Sequence, residues 1–214
     1  MVEKNTIPSY VYVDGFNLYY GAVKGTKYKW LDIQEMVRLI LPKNHVLKIK
    51  YFTAHVRAYQ NDQNKPIRQQ TYLRALKTIP NLDIILGHFL AHPVKMPLAN
   101  PIPGENPYAE VIKTEEKGSD VNIATHLLND GYKKAYSVAI VISNDSDLIE
   151  PIKVVRNELN KSVIILNPYP KKPSQELKQV ATFVKDIRHN VLSISQFPVI
   201  MKDKNGIFKK PDCW

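Results

Sequence analysis

The sequence of 214 residues predicts an α/β protein with a central, mostly parallel β-sheet and helices on both faces. Short apolar runs rich in β-branched residues are typical of buried strands, and they occur at 10–13, 47–53, 82–89, 138–143 and 162–166. Helical spacing of apolar residues occurs at 31–41, 66–79, 147–159 and 174–187. Alternation of strands with helices favours a parallel sheet covered on both sides.

The ends of two further elements can be predicted from single residues. Ser174 is a suitable N-cap for the helix 174–187. Asp120 is expected to open another helix that runs to about residue 129, with Gly131 as its C-cap.

Two segments depart from the alternation of strands and helices. Residues 91–107 contain five of the fifteen prolines, which excludes a regular helix or a central strand and predicts a long loop inserted in the domain. From about residue 191 the sequence becomes polar, and an extended tail is expected. We therefore predict one domain over 1–190 followed by a C-terminal tail over 191–214.

Composition restricts the class of protein. The chain is 44% hydrophobic and 23% charged, as is usual for a globular domain, and its length permits burial of roughly 70% of the unfolded surface. The single cysteine, Cys213, excludes an internal disulfide or a zinc site of several cysteines. No run approaches 18 apolar residues, and the first ten residues lack a signal-peptide core. We expect a cytoplasmic protein without a membrane partner.

The charge balance is strongly basic, with 30 Lys and Arg against 20 Asp and Glu, a net charge of +10. Two interpretations stay open: a solvated surface, or a face that binds a polyanion. Lysines that recur in predicted loops favour the second, and they include Lys24, Lys27, Lys29, Lys171 and Lys172. Charge alone does not separate RNA from DNA or from an anionic membrane.

Four acidic residues stand at the ends of predicted elements. Asp14 follows the first strand in VYVDGFN, and Asp145 and Asp147 follow the fourth in VISNDSDL. Asp120 lies at the start of its predicted helix in KGSDVNIA. Parallel sheets bind ligands beyond the carboxyl ends of their strands, so these acids are expected to converge if the two strands are neighbours.

Clustered carboxylates repel one another unless a cation is present. Mg²⁺ or Mn²⁺ accepts oxygen ligands, retains water molecules and takes substrate phosphate as a further ligand. This combination is typical of metal-dependent phosphodiester hydrolysis. Each acid taken alone also fits a structural position, because strand-terminal turns and helix N-caps are rich in aspartate.

The segments VYVDGFN, KGSDVNIA and VISNDSDLIEPIK, in this order and spacing, resemble the NYN domains, a family of PIN-like nucleases. The resemblance spans roughly residues 9–190. It implies a PIN-like three-layer α/β sandwich and metal-dependent cleavage of RNA. It also implies that Asp14, Asp120, Asp145 and Asp147 hold the metal, and that Asn17 positions Asp14 or a water molecule.

Other candidate chemistry is limited. Tyr19 and Tyr20 follow Asn17 and are expected either to stack on bases or to pack in the core. Of the six histidines, only His126 falls on a helix predicted near the site. Two alternatives to a ribonuclease remain: a regulatory nucleic-acid-binding protein without turnover, and a flap-type DNA nuclease. The oligomeric state is left open, with a homo-oligomer among the options.

Overall fold

The computed structural model describes residues 6–58 and 62–214, and all statements on structure below concern this part of the chain. Its strands, in chain order, are β1 (Ile7–Asp14), β2 (Asn44–Thr53), β3 (Leu82–Leu86), β4 (His88–Pro97), β5 (Tyr108–Lys117), β6 (Val138–Ile142), β7 (Ser162–Asn167), β8 (Phe183–Asp186), β9 (Ile200–Asp203) and β10 (Gly206–Lys209).

Seven α-helices lie within the described residues: α1 (Gly15–Leu18), α2 (Ile33–Ile40), α3 (Lys65–Leu76), α4 (Ser119–Tyr132), α5 (Ile149–Asn157), α6 (Gln175–Val180) and α7 (His189–Ile194). A π-helical turn, Tyr19–Val23, continues α1, and a 3₁₀ turn, Ser146–Leu148, precedes α5.

Six of the described strands form one parallel sheet in the order β3-β2-β1-β6-β7-β8. The chain moves outward from β1 to β3 on one side and from β6 to β8 on the other. The carboxyl ends of β1 and β6 therefore flank the point where the strand order reverses, which is the usual ligand position in open α/β sheets. The two strands are neighbours, which is the condition under which the acids were expected to converge.

Helices cover both faces of the sheet, and each face has its own buried cluster. Side chains of α2, α3 and α7 pack on one face, and those of α4, α5 and α6 pack on the other. Successive residues of β1 alternate between the two layers, with Val11 and Val13 in the first cluster and Tyr12 in the second. This period of two is expected for a strand buried on both faces, and it confirms the predicted α/β class.

The proline-rich segment differs from the prediction of a loop over 91–107. Residues 88–97 and 108–117 pair as an antiparallel hairpin, β4–β5, and only 98–107 connect the strands. Proline is compatible with such a hairpin because it has open edges on which a missing N–H disrupts no ladder. The predicted strand 82–89 is divided at Gly87, where the chain leaves the parallel sheet.

The prediction of an extended segment after residue 191 was wrong. Helix α7 and the hairpin β9–β10 occupy this region. The C-terminal Trp214 packs against Trp30, with ring centroids 6.2 Å apart, and the Trp30 indole N–H donates to the Pro198 carbonyl. Aromatic burial therefore ties the segment to the domain, while the proposed boundary at residue 190 remains a prediction.

Two helix ends also needed correction. The helix predicted over 174–187 ends at Val180, after which β8 begins, so Val184 belongs to a strand. Ser174 does cap this helix, accepting from the Leu177 N–H at 3.2 Å. Gly131 lies inside α4 rather than beyond it. A side chain there would meet Leu159 at 2.7 Å, so close packing explains this glycine.

A buried polar network joins α4 to the sheet. Asp130 accepts from the Lys50 ammonium at 2.6 Å and from the Tyr12 hydroxyl at 2.8 Å. The side chains of Lys50 and Asp130 are only 11% and 9% exposed. His126, expected near the metal site, instead lies 3.0 Å from Lys50 in this network.

Candidate metal centre

Three carboxylates meet at the carboxyl edge of the sheet, and we call them the acidic cluster: Asp14, Asp120 and Asp145. Each contributes one oxygen, and these oxygens all lie within 4.8 Å of one another. The residues come from three separate elements: the end of β1, the first turn of α4 and the turn after β6. A surface pocket of about 230 Å³, the acidic pocket, contains all three.

Asp14 is held by hydrogen bonds on both of its oxygens. The Asn17 backbone N–H donates to Oδ1 at 2.9 Å, and the Ser143 hydroxyl donates to Oδ2 at 3.1 Å. The next residue is glycine because a Cβ on Gly15 would lie 2.7 Å from the Phe52 carbonyl oxygen. Gly15 therefore permits the close approach of β2. The two hydrogen bonds fix the Asp14 carboxylate.

The turn after β6 is joined to the turn after β1. The Asn17 side-chain oxygen accepts from the Asn144 N–H at 2.9 Å, and the Ser143 hydroxyl accepts from the Asp145 N–H at 3.1 Å. Asp145 in turn accepts from the Asp147 N–H at 3.0 Å. The hydrogen bonds of Ser143 and Asn17 thus fix the position of Asp14 relative to Asp145.

Asp120 enters the cluster because Gly118 starts α4 with a φ of 99°, a left-handed conformation that favours glycine. Glu116, at the end of β5, faces the same pocket and accepts from the Ser119 hydroxyl at 2.9 Å. The sequence analysis missed Glu116. Glu116 lies four residues before Asp120 in the chain, which could have suggested a place near the site. The loop predicted in this region gave no reason to expect it there.

Asp147 occupies a different place from the other predicted ligands. It does not belong to the acidic cluster, although its charge is close enough to raise the pKa of Asp120. Tyr169 and Phe16 also line the acidic pocket and had no predicted role. Of the two predicted tyrosines, Tyr20 is 48% exposed and lines this pocket, whereas Tyr19 packs against the core.

Two acids of the cluster, the buried Asp14 and the half-buried Asp120, resist ionisation. Burial raises the pKa of Asp14 to about 6, and the charges of Asp120 and Asp145 add to this, against the two hydrogen bonds. Burial also raises the pKa of Asp120 to about 6, reinforced by Asp145, Glu116 and Asp147. A set of carboxylate oxygens with uncompensated repulsion fits a hard divalent cation such as Mg²⁺ or Mn²⁺.

We expect cation binding to strengthen by at least tenfold between pH 5 and pH 7, because protons compete for two ligands whose pKa lies near 6. The sign is opposite for the metal-free fold. A carboxyl with a raised pKa contributes stability at low pH, and that contribution is lost as pH rises through about 6. Calorimetric titration with Mn²⁺ at both pH values, and thermal unfolding in EDTA, measure the two effects. A pH-independent affinity would contradict the expectation.

Three of the predicted lysines, Lys24, Lys171 and Lys172, are linked to the residues of this edge of the sheet. Lys171 and Lys172 are exposed in the loop after β7, and the Asn144 side chain donates to the Lys172 carbonyl at 2.9 Å. Lys24 lies over the Tyr20 ring at 4.7 Å, and Lys27 over the Tyr28 ring at 5.9 Å. Lys29 is half-buried and lines a second cavity. We call the exposed set the basic rim: Lys24, Lys27, Lys171 and Lys172.

Comparison with known proteins identifies the family. The model of the NYN domain matches residues 8–193, so the chain belongs to the NYN domain family, and its α/β sandwich is of the PIN-like type. The family resemblance read from the three acid-bearing segments is confirmed.

The similar proteins include a curated relative and a solved structure. One is 6-hydroxy-3-succinoylpyridine 3-monooxygenase HspA of Pseudomonas putida (strain DSM 28022 / S16), 25% identical over 241 residues, covering all of this chain and 77% of the relative. The other is a crystal structure of a protein of unknown function from Vibrio parahaemolyticus RIMD 2210633. It has a TM-score of 0.58 and 16% identity, with 89% of this chain and 98% of that chain covered. The second similarity concerns the fold alone.

Within the described residues, no helix combines the length and apolar character needed to cross a lipid bilayer.

Proposed function

We propose that this protein is a divalent-metal-dependent nuclease that hydrolyses phosphodiester bonds of RNA. The observation that carries the proposal is the acidic cluster, in which carboxylates from three distant parts of the sequence converge within 4.8 Å at the switch point of the sheet. Membership of the NYN family supports a nuclease over other phosphate chemistry. The proposal includes a cytoplasmic location, where RNA and Mg²⁺ are both abundant.

In this proposal Asp14, Asp120 and Asp145 hold Mg²⁺ or Mn²⁺, and Asp147 lies close enough to Asp120 to shape the field around it. A bound divalent cation supplies a water nucleophile at neutral pH and offsets negative charge on the phosphate. Ser143 and the Asn17 N–H keep Asp14 oriented before substrate arrives. Asn17 acts through the turns it joins, since its side-chain oxygen is used by Asn144.

The basic rim is the proposed path for the RNA backbone. Lys24 lies over the ring of Tyr20, which lines the acidic pocket, and Asn144 links the Lys171–Lys172 loop directly to the acid-bearing turn. Positive charge around a negative pocket draws in a polyanion that the carboxylates alone would repel. Tyr20, exposed at this pocket, is placed to stack on a base.

RNA affinity is expected to fall steeply with salt, because lysine contacts to phosphate release counterions. Lys171→Glu/Lys172→Glu should weaken binding of a short single-stranded RNA by more than tenfold and reduce the salt slope. Binding is measured by fluorescence anisotropy over a salt series. Lys43→Glu/Lys133→Glu is the matched control, since it makes the same change in charge on exposed residues before β2 and β6, at the opposite edge of the sheet. Equal effects of the two pairs would assign the binding to net charge alone.

The proposed activity is tested by incubating labelled RNA and DNA with purified protein in Mg²⁺, in Mn²⁺ and in EDTA. We expect cleavage of RNA that requires the metal. RNA binding without cleavage under any metal would favour a regulatory protein of the same fold. Preferential cleavage of DNA flaps would favour a flap-type nuclease.

A second candidate function follows from the Pseudomonas relative, whose name describes hydroxylation of a pyridine that bears an acid chain. The observation that favours it is a separate cavity of about 430 Å³ lined mainly by aromatic and aliphatic side chains. We would measure oxygen consumption with 6-hydroxy-3-succinoylpyridine and a reduced nicotinamide as electron donor. Turnover above that of a no-protein control would establish this function. Absence of turnover would leave the nuclease as the proposed function.

A further inference from the structure

A second cavity lies beside the acidic pocket, on the other side of the turn that follows Asp14. It measures about 430 Å³, within the range of sites for small ligands. We call it the aromatic cavity because six of its lining residues are aromatic: Phe16, Tyr19, Tyr20, Tyr51, Tyr72 and Trp214.

The aromatic cavity and the acidic pocket have a common wall. Phe16 and Tyr20, two and six residues after Asp14 in the chain, line both of them. The Phe16 ring is held against Phe89 at the base of the β4–β5 hairpin, with centroids 5.5 Å apart. A ligand of nucleotide size can therefore place one part in each site, with the partition formed by aromatic rings.

Two buried residues of this cavity have side-chain hydroxyls with no hydrogen-bond partner among the described residues. Tyr51 and Thr53 lie on the same face of β2, and they are only 6% and 2% exposed. Neither side chain forms a hydrogen bond with residues 6–58 or 62–214. Buried tyrosine hydroxyls usually find a partner, so these groups are positioned to bind a ligand.

Three other polar side chains of the cavity are paired within the protein. The Tyr72 hydroxyl donates to the Leu31 carbonyl at 2.9 Å. The Gln69 amide accepts from the Val56 N–H and donates to the Ala54 carbonyl, both at 2.9 Å. The Arg68 guanidinium is paired with Asp62. These contacts hold the cavity wall in place, and they leave the buried hydroxyls of Tyr51 and Thr53 for a ligand.

We propose that the aromatic cavity is a nucleobase-binding subsite. It takes the base of a nucleotide whose phosphate lies at the acidic pocket, and this link between the two sites rests on the nuclease function proposed above. The tyrosine and tryptophan rings stack on the base, and the hydroxyls of Tyr51 and Thr53 bind its ring nitrogen or carbonyl groups. Lys29, which has no ion pair with a described residue, adds a hydrogen-bond donor at the cavity wall for a carbonyl oxygen of the base.

The test uses nucleoside 5′-monophosphates, which have no phosphodiester bond to hydrolyse, and the full chain in Mg²⁺, which offsets repulsion between the phosphate and the acidic cluster. Isothermal calorimetry should show saturable binding. Tyr51→Phe should weaken it about threefold to tenfold, the effect of one hydrogen bond. Tyr10→Phe is the matched control because Tyr10 lies outside the cavity, against Tyr136.

Two further measurements locate the ligand. Cys213 is the single cysteine of the chain and lines this cavity, so a bound nucleotide should slow its reaction with a thiol reagent. Val56 is half-buried at the cavity wall, and Val56→Phe should fill the space and abolish binding while the thermal transition is retained.

The outcomes separate this inference from the nuclease proposal. Nucleotide binding that both variants weaken supports the subsite even if RNA is never cleaved. RNA cleavage without mononucleotide binding, unchanged in Val56→Phe, overturns the subsite and leaves the nuclease. Binding of nicotinate, a heteroaromatic acid without sugar or phosphate, in place of every nucleotide also overturns it. Protection of Cys213 that persists in Val56→Phe would place the nucleotide elsewhere and overturn it as well.

Discussion

Replacement of Asp14 by asparagine is expected to reduce metal-dependent RNA cleavage by about a thousandfold or more, because electrostatic stabilisation at a reacting phosphate is lost. Asp14 is the most buried member of the acidic cluster, and its two oxygens are fixed by Asn17 and Ser143. Loss of its charge removes a ligand without removing the volume of the side chain. Cleavage of labelled RNA in Mn²⁺ measures the effect.

The fold of Asp14→Asn should persist, because the substitution relieves repulsion from Asp120 and Asp145. We expect the Tm in EDTA to stay level or to rise by about 2–4 °C. Asp83→Asn serves as the control, since Asp83 is an exposed aspartate of β3 paired with Lys48. Wild-type cleavage by Asp14→Asn would point to a contaminating nuclease or another site, and loss of the melting transition would show that Asp14 has a structural role.

The second large effect concerns stability. Asp130→Ala should destabilise the protein by about 3–5 kcal/mol, because Lys50 is left charged and buried without its partner. The Tyr12 hydroxyl loses its acceptor in the same substitution. Urea unfolding followed by circular dichroism gives the free energy directly.

An exposed ion pair serves as the matched control, since its lysine, Lys48, lies two residues before Lys50 on β2. Lys48 pairs with Asp83, but these side chains are 30% and 53% exposed, so Asp83→Ala should cost about 1 kcal/mol or less. Similar losses of unfolding free energy for Asp130→Ala and Asp83→Ala would show that burial does not make the Lys50–Asp130 pair more important for stability than the exposed pair.

Much of the parallel sheet could be predicted from local patterns. The strands around Val11 and Ile140 are continuous apolar runs because both faces are covered by helices, and such runs are visible in sequence. Asp14 and Asp145 could be placed for the same reason, since each follows a buried strand directly. Their convergence was expected only on the condition that the two strands were neighbours, at a point where strand order reverses.

The errors arose where tertiary contacts override local signals. Prolines 93 and 97 suggested a loop, but they are accommodated in a two-stranded hairpin with open edges. Val184 completed a helical pattern, yet pairing with Ile165 of β7 places it in a strand. The last residues were predicted to be extended because their anchors, Trp30 and Tyr72, are distant in sequence.

The candidate site was predictable only in part. Carboxylates at strand ends have a recognisable position, whereas Glu116 enters through a hairpin that the sequence did not predict. The aromatic cavity is formed by α1, the π-helical turn, β2, α3 and the C-terminus together, and no local pattern places Tyr51 beside Trp214. Such sites depend on packing between remote segments.

The central claim is that Asp14, Asp120 and Asp145 bind a divalent cation, and Mn²⁺ titration by isothermal calorimetry at pH 7.5 tests it most directly. We expect saturable binding by the wild type, a loss of affinity of at least tenfold in Asp120→Asn and in Asp145→Asn, and unchanged binding in Asp83→Asn. Absence of Mn²⁺ binding in the wild type, or equal affinity in all four proteins, would contradict the account.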